Sequence, residues 1–510
     1  MRRAWIALFS LVACGPAPAP CPKTPPIAPT ASARPSAPPE PAFAVTFTPA
    51  PDSLSVRVRA AARDGLARWA SVTRAQPPDA LARDASGNVP VAWTNGVLEL
   101  ARAPSGFVEL TYSLPARAGG DVVFSSAGYA RFYGEPLLLP VALASTLTHV
   151  TIDFDFAKVP FETAASSFGF GKHLELDLAP IELSKGAWLA GDVYSARFRA
   201  FEGTDDFAWI GYAAFDPRWI SAEIATLRTS VSQYFGDGHP PPFSMLLAVD
   251  QRGPIESTPI SIYPRWRGLF GIADVNAPWG IGARMSVALA LVSRFVGARL
   301  AGPVPLVSGL ARYAAREILL ASGTMTPLEY ADEVNGEIAA TLFADKNQDA
   351  AAVARAALEA NRVDALLRKS SGGKRGMREV LREWVAKSRT VSDDDLAGLA
   401  RGAMPDDAFG KCFARGPTKF DELDLGFDEA KTRAAKALVS VHGAAKAAGL
   451  REGDALVSIR YDEGQSEHPV RIAVTRDGKK IEAQYRPIGR TKNAQGWRVV
   501  PGVDPSTCAR

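Results

Sequence analysis

Ser286-Val-Ala-Leu-Ala-Leu-Val-Ser-Arg-Phe-Val-Gly-Ala-Arg-Leu-Ala-Gly-Pro-Val-Pro-Leu-Val-Ser-Gly-Leu-Ala-Arg-Tyr-Ala-Ala-Arg-Glu-Ile-Leu-Leu320 reads as two apolar helices joined by Ala301-Gly302-Pro303. Leu, Ala and Val fill both halves, while Gly followed by Pro ends one helix and permits the next. The stretch contains no His, and its only acid is Glu317. The whole chain has five His, at 149, 173, 239, 442 and 468, so none falls between 239 and 442. A helix pair that holds a catalytic zinc needs two His one turn apart, a Glu beside them and a third ligand on the next helix. This stretch cannot supply that set.

The 510 residues suggest roughly three or four domains, and 47% apolar with 9% aromatic residues suffice for packed cores. The 58 basic and 54 acidic residues nearly cancel, which argues against a nucleic-acid partner. No apolar run is expected to approach the roughly 20 residues of a spanning helix, because Arg294 and Arg299 interrupt the best candidate.

The start of the chain is a targeting signal. Arg2 and Arg3 precede the short apolar run Trp5–Ala13, which ends in Leu11-Val-Ala-Cys14. This resembles a bacterial lipobox, and the resemblance implies that Cys14 is lipidated and becomes the mature N-terminus. An ordinary signal peptide with a chance Cys is the alternative. Gly15 is not the Asp that retains many lipoproteins at the inner membrane, so the expected location is the cell envelope, lipid-anchored at the outer membrane and facing the periplasm. Residues 15–42 are mostly Pro, Ala and Ser and read as an extended tether. Of the four Cys, 14 and 21 lie in these segments, while Cys412 and Cys508 flank the C-terminal module. In an oxidising compartment the expectation is a 412–508 bridge; two free thiols are the alternative.

From Phe43 to about Tyr263 the pattern is mainly strand-like. Phe107–Leu114, Val122–Phe124, Leu137–Val141 and His149–Phe156 alternate or carry β-branched residues between Gly/Pro breaks. Ser53–Trp69, with its Arg/Ala periodicity, reads as a helix, as does Pro217–Tyr234; Phe243–Val249 reads as a strand. Arg284–Leu399 reads as helical, with breaks at Pro303, Pro305, Pro327 and Gly372-Gly373. Short strands return from Phe420. Gly169-Phe-Gly-Lys172 lacks the spacing of a phosphate loop and reads as a turn between strands.

Several segments carry a resemblance: Ala187-Trp-Leu-Ala-Gly-Asp-Val193, Leu328-Glu-Tyr330 after Gly323, Asp364-Ala-Leu-Leu-Arg368 and Ser371-Gly-Gly-Lys-Arg-Gly-Met-Arg-Glu-Val-Leu381. In this order they resemble the glycyl-aminopeptidase family of gluzincin metallopeptidases over about residues 100–490. The resemblance implies a multidomain α+β protein: a β-rich N-terminal domain (43–270), a helical peptidase-like domain (271–415), a PDZ-like domain (416–490) and a tail (491–510). Phe295-Val-Gly297 aligns with the aromatic-x-Gly that follows the family's zinc helix. Leu289 then stands for the first His, Ala290 for the general-base Glu and Ser293 for the second His. Ser308-Gly309-Leu-Ala-Arg-Tyr313 resembles Glu-Gly-Phe-Thr-x-Tyr, which puts Ser308 in place of the third ligand. The family's oxyanion Tyr has no counterpart, since 351–357 is Ala-rich and no Tyr lies between 330 and 461. Without ligands, base and Tyr there is neither water activation nor oxyanion stabilisation, so no catalytic residue, metal or cofactor is expected.

Val439–Ile459, with Ala448-Gly-Leu450 and Gly453-Asp454, resembles a PDZ domain, and Leu425-Gly426-Phe427 sits where its peptide-carboxylate loop would lie. The stretch from Asp454 to Arg476 is too short for the usual second helix, so a merely structural module is the alternative. The reading is a lipid-anchored, inactive metallopeptidase-like scaffold that binds peptides or envelope proteins. An active zinc aminopeptidase with unplaced ligands and a structural envelope protein are its rivals.

Overall fold

Val45, Phe47, Leu54, Val56, Val58 and Ala60 are all buried, while their sequence neighbours from Ala44 to Arg59 are half-buried or exposed. That period of two makes Phe43–Ala50 and Ser53–Ala61 an antiparallel pair with one face on a core. Within the span Ser53–Trp69, expected as a helix, Ser53–Ala61 is therefore a strand, and Arg68–Ala70 is a further short strand. β-Branched Val56 and Val58 alternate with polar residues, and the same Arg/Ala composition satisfies that shorter period.

The computed structural model describes residues 42–504 and Cys508, apart from 62–65, 75, 78, 117–122, 127, 201–202, 251–259, 345–347, 404, 406–411 and 462–465. The signal segment with Cys14, and the tether up to residue 41, lie outside the described residues.

In the N-terminal β region, strands of a seven-stranded, a five-stranded and a four-stranded sheet share one buried cluster. Phe47, Phe132, Phe154 and Trp188 form its aromatic centre, with Phe132 stacked on Trp188 at 5.3 Å. The strand Ala187–Gly191 is the last of these sheets in chain order. Beyond it the chain builds a different sheet of five strands, Tyr194–Ala200, Gly203–Ile210, Phe243–Asp250, Gly268–Asp274 and Ile260–Arg265. Its three middle strands are parallel, and α1 (Pro217–Phe235) crosses over between the first two. A domain boundary at 270 would cut the strand Gly268–Asp274; the change of sheet falls after Gly191.

This sheet is buried on both faces, as parallel sheets are. Ala208, Ile210, Leu246, Ala248, Phe270 and Ile272 face Tyr133, Ala165, Ala187 and Leu189 of the N-terminal sheets. Phe207, Phe243, Met245 and Leu269 face the helices. Those helices are α2 (Ile281–Ser293), α3 (Val296–Arg299), α4 (Val304–Ala321), α5 (Pro327–Leu342), α6 (Gln348–Ser371), α7 (Met377–Ala386) and α8 (Asp393–Leu399). Pro305 does not break the chain; it lies in the first turn of α4, where a missing N–H costs nothing. Thr326 caps α5 through a reciprocal pair with Glu329. Against expectation, Ile281–Arg299 is by length and composition apolar enough to cross a bilayer. Here it is divided between α2 and α3, and Val287, Ala288, Leu291 and Val292 are buried in the helical core.

In the C-terminal module Phe413–Leu423 pairs with Ile488–Val499 as a long antiparallel ribbon, beside the three-stranded sheet Ala455–Arg460, Val470–Arg476 and Lys479–Tyr485. Residues 491–499, expected as a tail, are thus strand. Two short helices, α9 (Glu429–Ala435) and α10 (Gly443–Ala447), precede the sheet.

Candidate functional site

The helix pair is pinned at its break. Ala301 donates its amide to Arg389 and accepts from Val391, and any Cβ on Gly302 would lie 2.5 Å from the carbonyl oxygen of Val391. Gly302 is required by that close approach. α2 then packs against α4. On α2, Ala290 is buried, Leu289 is half-buried against the helical core, and Ser293 is the last helical residue. On α4, Ser308 is half-buried beside Gly309. A Cβ on Gly309 would meet Cβ of Ala356 at 2.5 Å and the Val353 carbonyl oxygen at 2.7 Å. That glycine has a purely steric role in letting α6 close on α4.

Leu, Ala, Ser and Ser offer no imidazole and no carboxylate, so these positions do not fit zinc. The nearest acid in sequence, Glu317, is buried and accepts the Tyr330 hydroxyl at 2.5 Å. The histidines lie elsewhere. His149 pairs with Asp177 and His442 with Asp424, each on the surface. His173 is held by Asp153 at 2.6 Å and then Glu175 at 3.2 Å, which together raise its pKa. His239 follows α1 and His468 precedes the strand Val470–Arg476. Among the described residues no group of three or more His, Cys, Asp and Glu is placed to hold a metal.

Polar groups that the sequence does not single out lie deeper in α4. Arg316 is fully buried, its Nη1 2.6 Å from Glu337, with the guanidinium 5.1 Å from the Tyr330 ring centroid. Arg312 reaches Glu337 and Glu333 at 3.0 and 2.8 Å. The available signal is the pair Arg312 and Arg316, one turn apart in a largely apolar helix. Its use is structural: it ties α4 to α5.

In the loop expected to cap a peptide carboxylate, the Gly426 amide is already engaged within the chain. Leu425 and Phe427 are core residues of the C-terminal module. The Gly426 amide donates to Asp424 Oδ1 at 3.0 Å, and its carbonyl accepts from the His442 amide at 2.7 Å. A Cβ on Gly426 would lie 2.7 Å from Cβ of Ala445. The chain then turns into α9 rather than a strand, so among the described residues no free strand edge continues from the loop. A carboxylate ligand would meet Asp424 in its place. The Leu425 and Phe427 side chains thus serve packing, and the Gly426 amide is satisfied within the chain.

Cys412 and Cys508 form a disulfide with Cα atoms 5.5 Å apart, both side chains buried against the helical core.

No family model matches the sequence, and no curated protein sequence matches it. The structure is similar to an aminopeptidase N family protein from Idiomarina loihiensis, with a TM-score of 0.64 and 13% identity over 92% of this chain and 99% of that one. Weaker likenesses are to an M1 zinc metallopeptidase from Deinococcus radiodurans (TM-score 0.44, 16% identity, 70% of this chain and 89% of that) and to leukotriene A4 hydrolase from Saccharomyces cerevisiae (0.42, 9%, 70% and 63%). At these identities the likeness is one of fold: a peptidase-like mixed α/β architecture with a β-rich N-terminal region and a helical middle.

Proposed function

We propose that this chain is a catalytically inactive metallopeptidase-type scaffold, a degenerate relative of the gluzincin aminopeptidases, that acts by holding other molecules rather than by cleaving them. One observation carries the reading: Leu289, Ala290, Ser293 and Ser308 occupy the positions where the resemblance demands two His, a Glu base and a third ligand. A hydrolase of this type needs the metal both to generate hydroxide and to polarise the carbonyl. In this reading the chain is tethered by lipid at Cys14 to the envelope, facing the periplasm, and its partners are peptides or envelope proteins. The PDZ-like C-terminal module then serves as a cap on the helical domain, because its loop is occupied by Asp424, Leu425 and Phe427.

The test is metal content of the purified chain after zinc-supplemented expression, with aminopeptidase assays alongside. Less than about 0.1 zinc per chain and no cleavage is the expected result, since a built zinc site keeps its metal through purification. Near one zinc per chain, or zinc-dependent cleavage, would overturn the proposal in favour of an active peptidase.

A further inference from the structure

Where α2 ends, its C-terminus, α1 and the loop after α1 enclose a pocket of about 200 Å³ with three arginines on its wall. Arg228, Arg294 and Arg299 line it, with Ser232, Asp237 and Phe295. Arg228 is nearly fully buried and has a counter-charge: Nη1 donates to Asp205 Oδ1 at 2.6 Å, and Nη2 donates to the Pro241 carbonyl. Arg294 has none. Its guanidinium sits 6.0 Å from the Phe243 ring centroid, and among the described residues it makes no ion pair or hydrogen bond through its side chain. Among the same residues Arg299 likewise makes no ion pair. Burial first, then the charges of Arg228 and Arg267, depress the Arg294 pKa. The acid on the wall, Asp237, accepts the His239 amide at 3.3 Å.

A cation at the C-terminus of α2 is expected from the helix dipole. That accounts for one arginine, not for three converging on a concavity. Arg228 is answered by Asp205, but half-buried Arg294 and exposed Arg299 add two like charges beside it with no counter-charge among the described residues, an arrangement that is costly unless an anion completes it. Guanidinium forks bind tetrahedral oxyanions through paired N–H donors, and a pocket this small admits a phosphate group but not a nucleotide. We propose that the pocket between α1 and the end of α2 binds a phosphate group, either free or as the headgroup of a lipid. The proposal does not depend on the fate of the zinc positions.

The test uses the full chain carrying Cys14→Ser, so that no acyl chain contributes. Inorganic phosphate is titrated at constant ionic strength with chloride as control, read by thermal shift and calorimetry. Millimolar phosphate is expected to raise Tm. Arg294→Met is expected to weaken phosphate binding about tenfold or more, while leaving the phosphate-free Tm equal or higher because a repulsion is removed. Arg299→Met, at an exposed position, is expected to weaken binding several-fold without touching the core. If phosphatidylcholine vesicles doped with phosphatidic acid sediment the chain, and Arg294→Met abolishes this, the phosphate is a lipid headgroup. Neither a phosphate response nor vesicle binding, or responses unchanged in both variants, would overturn the proposal.

Discussion

Asn335 on α5 holds the backbone of Trp497 from both sides. Its Nδ2 donates to the Trp497 carbonyl at 2.8 Å, and its Oδ1 accepts the Trp497 amide at 2.8 Å. One amide side chain thus docks the C-terminal ribbon onto the helical domain, in the manner of one more strand pair. Asn335→Ala removes both of these hydrogen bonds beside a buried indole. The expected loss is about 2–3 kcal/mol in urea unfolding. Asn335→Asp is expected to cost as much, since it keeps the acceptor but sets a carboxylate against a carbonyl. Unchanged midpoints in both variants would show that water replaces the clamp.

The Cys412–Cys508 disulfide closes the same docking over a sequence separation of 96 residues. Loop-closure entropy alone gives roughly 4–5 kcal/mol for a loop of this size, and native contacts usually recover less. The double variant Cys412→Ala/Cys508→Ala is expected to lose about 2–4 kcal/mol and to become cleavable by trypsin within the ribbon. Free-thiol titration under denaturing, non-reducing conditions checks the pairing directly.

Gly309 predicts a steric limit. Gly309→Ala places a methyl 2.5 Å from Cβ of Ala356 and requires α4 and α6 to separate. Helix propensity would favour Ala by about 1 kcal/mol, but overpacking of a closed helix pair costs about 1–3 kcal/mol. Net destabilisation is expected, growing with Gly309→Val, as measured by thermal unfolding. A stabilised Gly309→Ala would contradict the close packing.

Asp205 predicts a pH dependence. It is 1% exposed, and burial raises its pKa from the ordinary 3.8 to about 6, with Arg228 opposing the shift. Between these values the folded chain binds the extra proton and the unfolded chain does not. Its contribution to stability is therefore fully present below the ordinary value and lost as pH rises through about 6. A shift of this size corresponds to roughly 3 kcal/mol. The stability difference between the wild type and Asp205→Asn should change by about 2–3 kcal/mol from about pH 4 to about pH 7, favouring the variant as pH rises. A flat difference would mean that Arg228 keeps Asp205 ionised throughout.

Much of the helical half is legible in the residues. The break at Ala301-Gly302-Pro303, the crossover helix from Pro217 and the strand at Phe243 all follow from local chemistry, because Pro, Gly and apolar spacing act over a few residues. The absence of His and Glu from 289, 290, 293 and 308 is likewise read from the residues alone. Ser53–Trp69 is where composition misleads, since Arg and Ala suit a helix while the period of two is set by the sheet.

The sequence alone determines the breaks, the helices of the central region and the chemistry that they lack. Tertiary structure decides what the remaining side chains do. Gly426 is a packing glycine because Asp424, His442 and Ala445 converge on it. The segment after 490 is a strand because Phe413–Leu423 and Asn335 are there to receive it. Arg228, Arg294 and Arg299 form one pocket only because α1 crosses back over the sheet to lie against the end of α2. Local propensity acts between neighbours along the chain; charge, burial and close packing act between neighbours in space.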